Sequence, residues 1–399
     1  MESLGHEICI VGGLGHVGLP LGILLARSGR SVVLYDIDQE KMETVSRGRM
    51  PFMEKGADFG LAEVVNKTLF VSSDKASIAR SHFVIVCIGT PVDEHLNPQF
   101  TAFKKFFEEV IDLIGHEQHI ILRSTVFPGT TQKVKEYLES RGKKTKLSFC
   151  PERIAEGNAI EEMMTLPQII SSFDDSSLEE LKGLFSSITR EVMPLSVLEA
   201  ELTKLFTNAW RYIRFAIANQ FYQIAVQGGV NFHNIHRAMT HHYPRTKDFP
   251  QAGFTAGPCL LKDTMQLAAF SNNSFFLGHS AMLVNEGLPN FIVQSLKNKY
   301  PLREKVVGIL GMAFKADIDD ARDSLSYKLR KILQMEAKEV LCTDPFIRDP
   351  SFHRMEDVIE RSEILIIGAP HSVYRDPPVY SSEKIWVDIW NLTEKGFGI

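Results

Sequence analysis

The sequence is short of several things, and each shortage narrows what the chain can be. Cysteine is scarce: there are five in 399 residues, with no Cys-x-x-Cys pair. An odd, scattered set builds neither a disulfide framework nor a zinc site. Basic runs are missing and the net charge is −5, which argues against a nucleic-acid partner. No apolar stretch is long enough to span a bilayer, and the start, MESLGHEICIVGG, carries no basic n-region. A soluble cytoplasmic protein without a membrane partner is therefore expected. Low-complexity segments and long linkers are also missing. What remains is an ordinary globular composition, 44% hydrophobic and 23% charged, in a chain too long for one core; two or three domains follow.

Short β-like runs alternate with helical stretches from residue 7 to 149: EICIVGG, SVVLYDID, TLFVSS, HFVIVCIGTP, HIILRST and KLSFC. That rhythm predicts a parallel sheet with crossover helices. Residues 151–195 continue in strand and helix pieces. A stretch without proline, LSVLEAELTKLFTNAWRYIRFAIANQFYQIAVQGG, then reads as one long helix ending on a glycine pair. Apolar residues cover most of its circumference, so it is expected to be buried at a domain or subunit junction. A second α/β unit follows, with strands in KVVGILGMAF, KEVLCTDP, SEILIIGAP and KIWVDIW. The expected fold class is α/β: two Rossmann-like doubly wound parallel sheets joined by a central long helix and helical domain. The expected boundaries are 1–195, 196–300 and 301–399.

The best-defined local motif is the strand–loop–helix ICIVGGLGHVGLPLGILLARSG. In Gly13-Leu14-Gly15-His16-Val17-Gly18, Gly13 permits the tight turn, Gly15 lets a pyrophosphate approach the backbone, and Gly18 allows close helix–strand packing. The helix N-terminus adds N–H groups and partial positive charge. Asp36 ends the next strand, where a carboxylate bonds ribose hydroxyls and repels a 2′-phosphate; Ile37 follows rather than arginine. NAD is the expected cofactor.

Two further places carry chemistry. Cys9, Cys87, Cys150 and Cys342 fall in or at the end of strand-like runs and read as small buried hydrophobes. Cys259 sits instead in GFTAGPCLLKD, an open stretch with Lys262 and Asp263 close behind. On the long helix, Glu201, Lys204, Asn208 and Asn219 share one stripe. Either this is a solvated stripe with a Glu–Lys pair, or it faces a cleft. The greasy remainder of the helix favours the cleft, where a desolvated lysine becomes able to handle protons.

With these pieces in place, the chain resembles the UDP-glucose/GDP-mannose dehydrogenase family, the nucleotide-sugar 6-dehydrogenases. The resemblance rests on GLGHVGLPLG, GTPVDEHLNP, RSTVFPGTT, PERIAEGNAI, EAELTKLFTNAW, GPCLLKD and GMAFKADIDDARDS, in that order. It implies oxidation of a sugar CH2OH to a carboxylate by two NAD molecules, without release of the aldehyde, in a homodimer or higher homo-oligomer. It implies Cys259 as nucleophile, Lys204 as the cation beside a developing alkoxide with Asn208 as a further donor, and Asp263 as the acid handling water and protons. Glu152 matches a glutamate of thioester hydrolysis and Thr125 a threonine that positions water. Gly13, Gly15, His16, Val17, Gly18, Asp36, Thr90, Thr125 and Arg322 are implied for NAD. Glu152, Glu156, Lys204, Asn208, Gly257 and Lys315 are implied for the UDP-sugar, with Arg245 reaching it from a neighbouring subunit.

Simpler readings stand beside these. Glu152 could pair with Arg153, Lys315 and Arg322 could be surface charges, and Asp319-Asp320 reads as a solvated turn. His241-His242 lacks metal-ligand spacing, and no metal is expected. Three departures from the family pattern stand out: GFTAGPC before the thiol, ANQ in the long helix, and His16 in the first loop. The altered loop and PERIAEG lean toward a UDP-N-acetylhexosamine over UDP-glucose. A 3-hydroxyacid-type dehydrogenase would share the first domain and the lysine–asparagine helix but needs neither the thiol nor residues 302–399. A non-catalytic nucleotide-sugar-binding protein is the third possibility.

Overall fold

The computed structural model describes residues 5–90, 100–375 and 384–393. Residues 91–98 of the GTPVDEHLNP motif lie outside them. The chain divides into two compact units, Met1–Thr207 and Asn208–Ile399.

The first unit is built on eight strands: β1 His6–Val11, β2 Val32–Tyr35, β3 Leu69–Ser72, β4 Ser81–Val86, β5 His119–Leu122, β6 Lys146–Phe149, β7 Gln168–Ser172 and β8 Val192–Leu195. Their order across the sheet is β3-β2-β1-β4-β5-β6-β7-β8. Alternate residues of β1 feed two different cores. Ile8 and Ile10 pack with Leu34, Leu69 and Ile121, whereas Cys9 and Val11 pack with Val33, Val84 and Leu122. A sheet buried on both faces has to be apolar at every position, which is why these strands read as continuous hydrophobic runs. The pairing departs from the all-parallel expectation once. β6 and β7 run antiparallel, Ser148 opposite Ser172 and Phe149 opposite Ser171. The strand order reverses direction at β1 and β4, and ligands of open α/β sheets sit at the carboxyl ends of strands at such a switch.

The second unit repeats the plan on a smaller scale. Its strands β9 Val306–Leu310, β10 Glu339–Thr343, β11 Ile364–Ile367 and β12 Ile385–Val387 are all parallel, in the order β10-β9-β11-β12. Val307, Ile309, Ile364 and Ile366 line one face; Leu310, Leu341 and Leu365 line the other.

The long helix runs from Val197 to Gln227. Its polar stripe is buried: Glu201, Lys204, Asn208 and Asn219 are each under 5% exposed. One side of the helix is open in the single chain. Trp210, Ile217, Phe221 and Ile224 are between 40% and 58% exposed in the single chain. Their spacing places them on one face, so the helix has an apolar side that the described residues leave bare. No described helix is long and apolar enough to cross a membrane.

At the start of β5, His119 is fully buried, held between Glu180 Oε2 at 2.9 Å and Ser148 Oγ at 2.7 Å. Lys146 and His82 also face Glu180. Burial is the main influence on the ring and lowers its pKa, against the opposing pull of Glu180. The fold therefore favours the neutral imidazole. That contribution is complete above the unfolded value of about 6.5 and is lost as pH falls below it. Urea midpoints measured from pH 7.5 to 5 should decline, and His119→Gln should flatten the decline. An unchanged slope in the variant would remove His119 from this role.

Candidate active site

The glycine loop follows β1 directly. The left-handed turn belongs to Gly12, with φ +72°, and not to Gly13 as the motif suggested. Gly13 is required for a different reason: a Cβ there would come within 2.8 Å of Ile10 O and Leu34 Cβ. Gly18 lies equally tight on Gly12 O, at 2.6 Å, as close helix–strand packing demands. Gly15 is open, its nearest neighbour being Gly12 O at 3.6 Å. An open glycine beside the N-terminus of the helix Gly18–Arg27 is where a pyrophosphate can reach backbone N–H groups.

Asp36 sits where ribose recognition needs it, but it also braces the loop. Its Oδ2 accepts from Leu14 N at 3.0 Å, and its Oδ1 from Ile37 N and Asp38 N at 2.8 and 3.2 Å. A carboxylate has about four lone-pair sites, so acceptor capacity remains. His16 stacks on Phe52, ring centroids 4.0 Å apart, and Val17 caps the helix. Thr90 Oγ1 donates to Thr125 O at 2.6 Å, which joins two residues chosen from separate motifs. The residues present thus fit a dinucleotide.

The chemistry-bearing pair of the first unit is Glu152 with Lys204. Lys204 Nζ donates to Glu152 Oε1 at 2.9 Å, with both side chains nearly buried. Glu152 does not pair with Arg153, which donates instead to Pro167 O. Burial pushes the Glu152 carboxyl upward. The charge and hydrogen bond of Lys204, the charge of Arg123 and the Ile154 amide outweigh it and hold the group below its ordinary value. Glu152 is therefore a carboxylate and Lys204 stands against an anion, not alone in a cleft. Glu156 lies in the same segment, whose turn is tied down by Glu54 accepting from Gly157 N and Ala159 N at 3.0 and 2.7 Å. Glu201 takes no part in the pair. It accepts from Gly129 N, Thr131 N and Thr131 Oγ1 at 2.6–2.9 Å, capping the helix Thr130–Ser140.

In the second unit, Cys259 is the one exposed cysteine of the five. Burial drives the thiols of Cys9, Cys87 and Cys150 up to about 12 and that of Cys342 to about 11. Cys259 is the N-cap residue of the helix Leu260–Phe270, an end whose N–H groups favour an anion. One turn on, Asp263 is fully buried; its Oδ2 accepts from Asn208 Nδ2 at 2.6 Å, and Lys262 Nζ lies 3.5 Å from Oδ1. Lys204 thus meets Glu152 within the first unit, and Asn208 meets Asp263 within the second.

Lys315 is half-buried, whereas Arg322 is exposed and clasps Asp320 with Nε and Nη2. Asp320 is consequently 7% exposed, not part of a solvated turn. Arg245 is exposed and rests on Tyr243. Sequence reading missed Arg123, buried at the end of β5 with Nη1 donating to Cys150 O and Gln168 Oε1. The signal was there: an arginine opening RSTVFPGTT immediately after the apolar run Ile120-Ile121-Leu122. Glu54 and Phe314 carried no such signal.

Comparison with known proteins now adds to this geometry. Three models of the UDP-glucose/GDP-mannose dehydrogenase family match the chain: the NAD binding domain over residues 6–189, the central domain over 198–286 and the UDP binding domain over 308–395. A UDP-N-acetyl-D-mannosamine dehydrogenase of Pyrococcus horikoshii is 29% identical over 376 residues, covering 91% of this chain and 89% of its own. Its counterpart in Methanocaldococcus jannaschii is 27% identical over 381 residues, covering 94% and 88%. The solved structure of UDP-D-ManNAc dehydrogenase from Pyrococcus horikoshii superposes with a TM-score of 0.89 at 28% identity, over 97% of this chain and 96% of that one. A UDP-glucose dehydrogenase structure from Pyrobaculum islandicum, at 23% identity and TM-score 0.88 over 98% and 95%, shares the fold.

The buried pair makes a stability prediction. Lys204→Met strands the Glu152 carboxylate and should lower unfolding free energy by about 3–5 kcal/mol. The double variant Lys204→Met/Glu152→Gln, which removes the stranded carboxylate, should recover part of that loss in urea titration. A double variant no more stable than Lys204→Met would show the two groups to be uncoupled.

Proposed function

The chain belongs to the UDP-glucose/GDP-mannose dehydrogenase family and is an NAD-dependent nucleotide-sugar dehydrogenase, and from that premise we propose that it oxidises the C6 hydroxymethyl of a UDP-N-acetylhexosamine to the uronic acid through a covalent intermediate on Cys259. In this reading residues 1–195 bind NAD, 196–300 form a helical dimerisation domain and 301–399 bind the UDP-sugar. The product would supply polysaccharide synthesis in the cytoplasm.

Support for the covalent route comes from one observation above all: the only exposed thiol opens a helix one turn before a buried carboxylate held by Asn208. The glycine loop and Asp36 would hold NAD, which would supply the hydride acceptor of each oxidation. In the first, Lys204 and Asn208 stabilise the alkoxide as the hydroxyl proton leaves for water near Asp263. An aldehyde cannot give up hydride until it becomes tetrahedral. The Cys259 thiolate supplies the bond, forming a thiohemiacetal; loss of hydride and the hydroxyl proton then gives a thioester. Water attacks the thioester carbonyl, the C–S bond breaks, and the carboxylate leaves with the thiol restored. Glu152, held as a carboxylate, is the base for that water, with Thr125 orienting it. In sum, the alcohol, two NAD+ and one water give the carboxylate, two NADH and three protons.

The UDP-N-acetyl-D-mannosamine dehydrogenases among the relatives support an N-acetylhexosamine over glucose. A dimer is supported by the bare face Trp210, Ile217, Phe221 and Ile224, an apolar row of the kind that marks an interface. Arg245 would then complete the partner's sugar site.

NADH formation with a panel of UDP-sugars, followed by product mass, should give the highest kcat/KM for a UDP-N-acetylhexosamine; a clear preference for UDP-glucose would overturn the choice of sugar. Cys259→Ala should bind sugar and NAD yet make almost no acid. Glu152→Gln should accumulate an acyl-sugar adduct on the Cys259 peptide, visible by intact-protein mass spectrometry. Normal acid production by Cys259→Ala would sink the covalent route. Asp36→Ala should narrow the preference for NAD over NADP in kcat/KM, and equal use of both by the wild type would show that Asp36 does not discriminate.

A further inference from the structure

Cys259 hangs from a strap, residues 253–258, whose two ends are fixed by different means. Most of the strap is inside: Gly253, Phe254, Thr255 and Gly257 are buried. At the first end, Gly253 N donates to Asn219 Oδ1 at 2.9 Å, and Asn219 is tied through its Nδ2 to Asn285. The opposite side of Gly253 lies on Trp390, so closely that a Cβ would meet the ring at 2.2 Å. Trp390 in turn donates to Ile367 O on β11. This end belongs to the core and has no freedom of its own.

The second end is held by the backbone bond of Gly257 N to Asp323 O, 3.5 Å long, and by one ring. Gly257 has φ +102°, and a Cβ there would stand 2.6 Å from Cδ2 and 2.7 Å from Cε2 of Phe314. Both the conformation and the contact require glycine. Gly257 is two residues from the thiol. Phe314 belongs to the loop 311–324, which also carries Lys315 and Arg322.

That loop is itself braced. Met312 N and Ala313 N donate to Asp344 Oδ2 at 2.6 and 2.9 Å, and Asp317 N donates to His371 Nδ1 at 2.8 Å. Ser372 N donates to Asp317 Oδ1 at 2.8 Å, and Ser324 Oγ to Ala313 O at 3.1 Å. A close-packed interior transmits displacement instead of absorbing it. A shift of this loop therefore reaches Gly257 by two routes, the Phe314 ring and Asp323 O, which accepts from Gly257 N at 3.5 Å.

We propose that Phe314 is a positioning residue that couples the nucleotide-contact loop to the thiol, so that a bound nucleoside diphosphate fixes Cys259 for attack before the sugar reacts. The inference rests on the reading that the second unit binds the UDP moiety. The coupling makes the thiol least mobile when the substrate's nucleotide is in place, and leaves the strap freer in its absence. It assigns to Phe314 a role through Gly257, not a contact with the reacting atoms.

UDP alone is the probe, because it fills the nucleotide contacts without placing a sugar at the thiol. In the wild type, saturating UDP should slow iodoacetamide alkylation of the Cys259 peptide by about fivefold, within the usual range of coupling between sites. Phe314→Ala should bind UDP in calorimetry within about threefold of wild type and alkylate at the same rate with and without it. Its kcat for acid formation should fall while KM for the sugar stays nearly unchanged, and Phe314→Tyr, which keeps the ring, should restore both behaviours. Should Phe314→Ala lose UDP affinity, Phe314→Leu tests the same contact with less loss of volume and should bind UDP without protecting the thiol. A wild type that binds UDP with no change in alkylation, a Phe314→Ala variant still protected as the wild type is, or loss of UDP binding in both variants would each overturn the coupling. A wild type that does not bind UDP would refute the functional reading beneath it.

Discussion

A helix of thirty-one residues with four polar groups on one buried stripe must find a partner for every one of them, because an unpaired polar group or charge in the interior costs several kcal/mol. The rest of the structure is arranged to supply those partners. Glu201 is satisfied by the amides opening the helix Thr130–Ser140, Lys204 by Glu152, Asn208 by Asp263, and Asn219 by Asn285 and the Gly253 amide. Each partner stands on a segment of chemical interest: the RSTVFPGTT loop, the PERIAEG loop, the thiol helix and the strap before it. The stripe therefore orders two segments in each unit: the RSTVFPGTT and PERIAEG loops in the first, the thiol helix and the strap before it in the second.

This explains which parts of the molecule were legible in advance. The strands were, because a sheet covered on both faces requires unbroken apolar runs, and such runs survive in the sequence as ICIV, VVLY and FVIV. The polar stripe of the long helix was legible from its period. Its partners were not, since Glu152 lies 52 residues before Lys204 and nothing in either local sequence names the other. The nearer candidate, Arg153, was more visible and wrong. The antiparallel turn of β7 was hidden for a similar reason: residues 150–167 contain a short helix, as a parallel crossover does, so length and pattern alone do not distinguish the two.

The glycine loop shows a finer limit. The motif marks which positions must be small, but smallness has several causes. Gly12 needs its left-handed φ, Gly13 and Gly18 need room, and Gly15 needs an open face. Only coordinates separate these demands. The exposed apolar side of the long helix is the opposite case. Hydrophobicity around the whole circumference was correctly read, but a sequence does not say whether its own chain or another surface covers a given face.

The two units carry the same fold-level device, an aspartate closing the strand beside the glycine turn, and they load it differently. Asp36 accepts three backbone hydrogen bonds and keeps room for another. Asp344 accepts from Met312, Ala313, Phe346 and Ile347 amides and lies 3.0 Å from His371 Nε2, with its side chain wholly enclosed. Burial alone would raise its carboxyl; the hydrogen bond and charge of His371 and those amides hold it down at about 2. Five donors saturate a group with about four lone-pair sites. A ribose hydroxyl arriving at Asp344 would find no acceptor. The second unit has kept the architecture of a dinucleotide reader while converting its sugar-reading residue into a fastener, and any nucleotide it holds must be recognised through other groups.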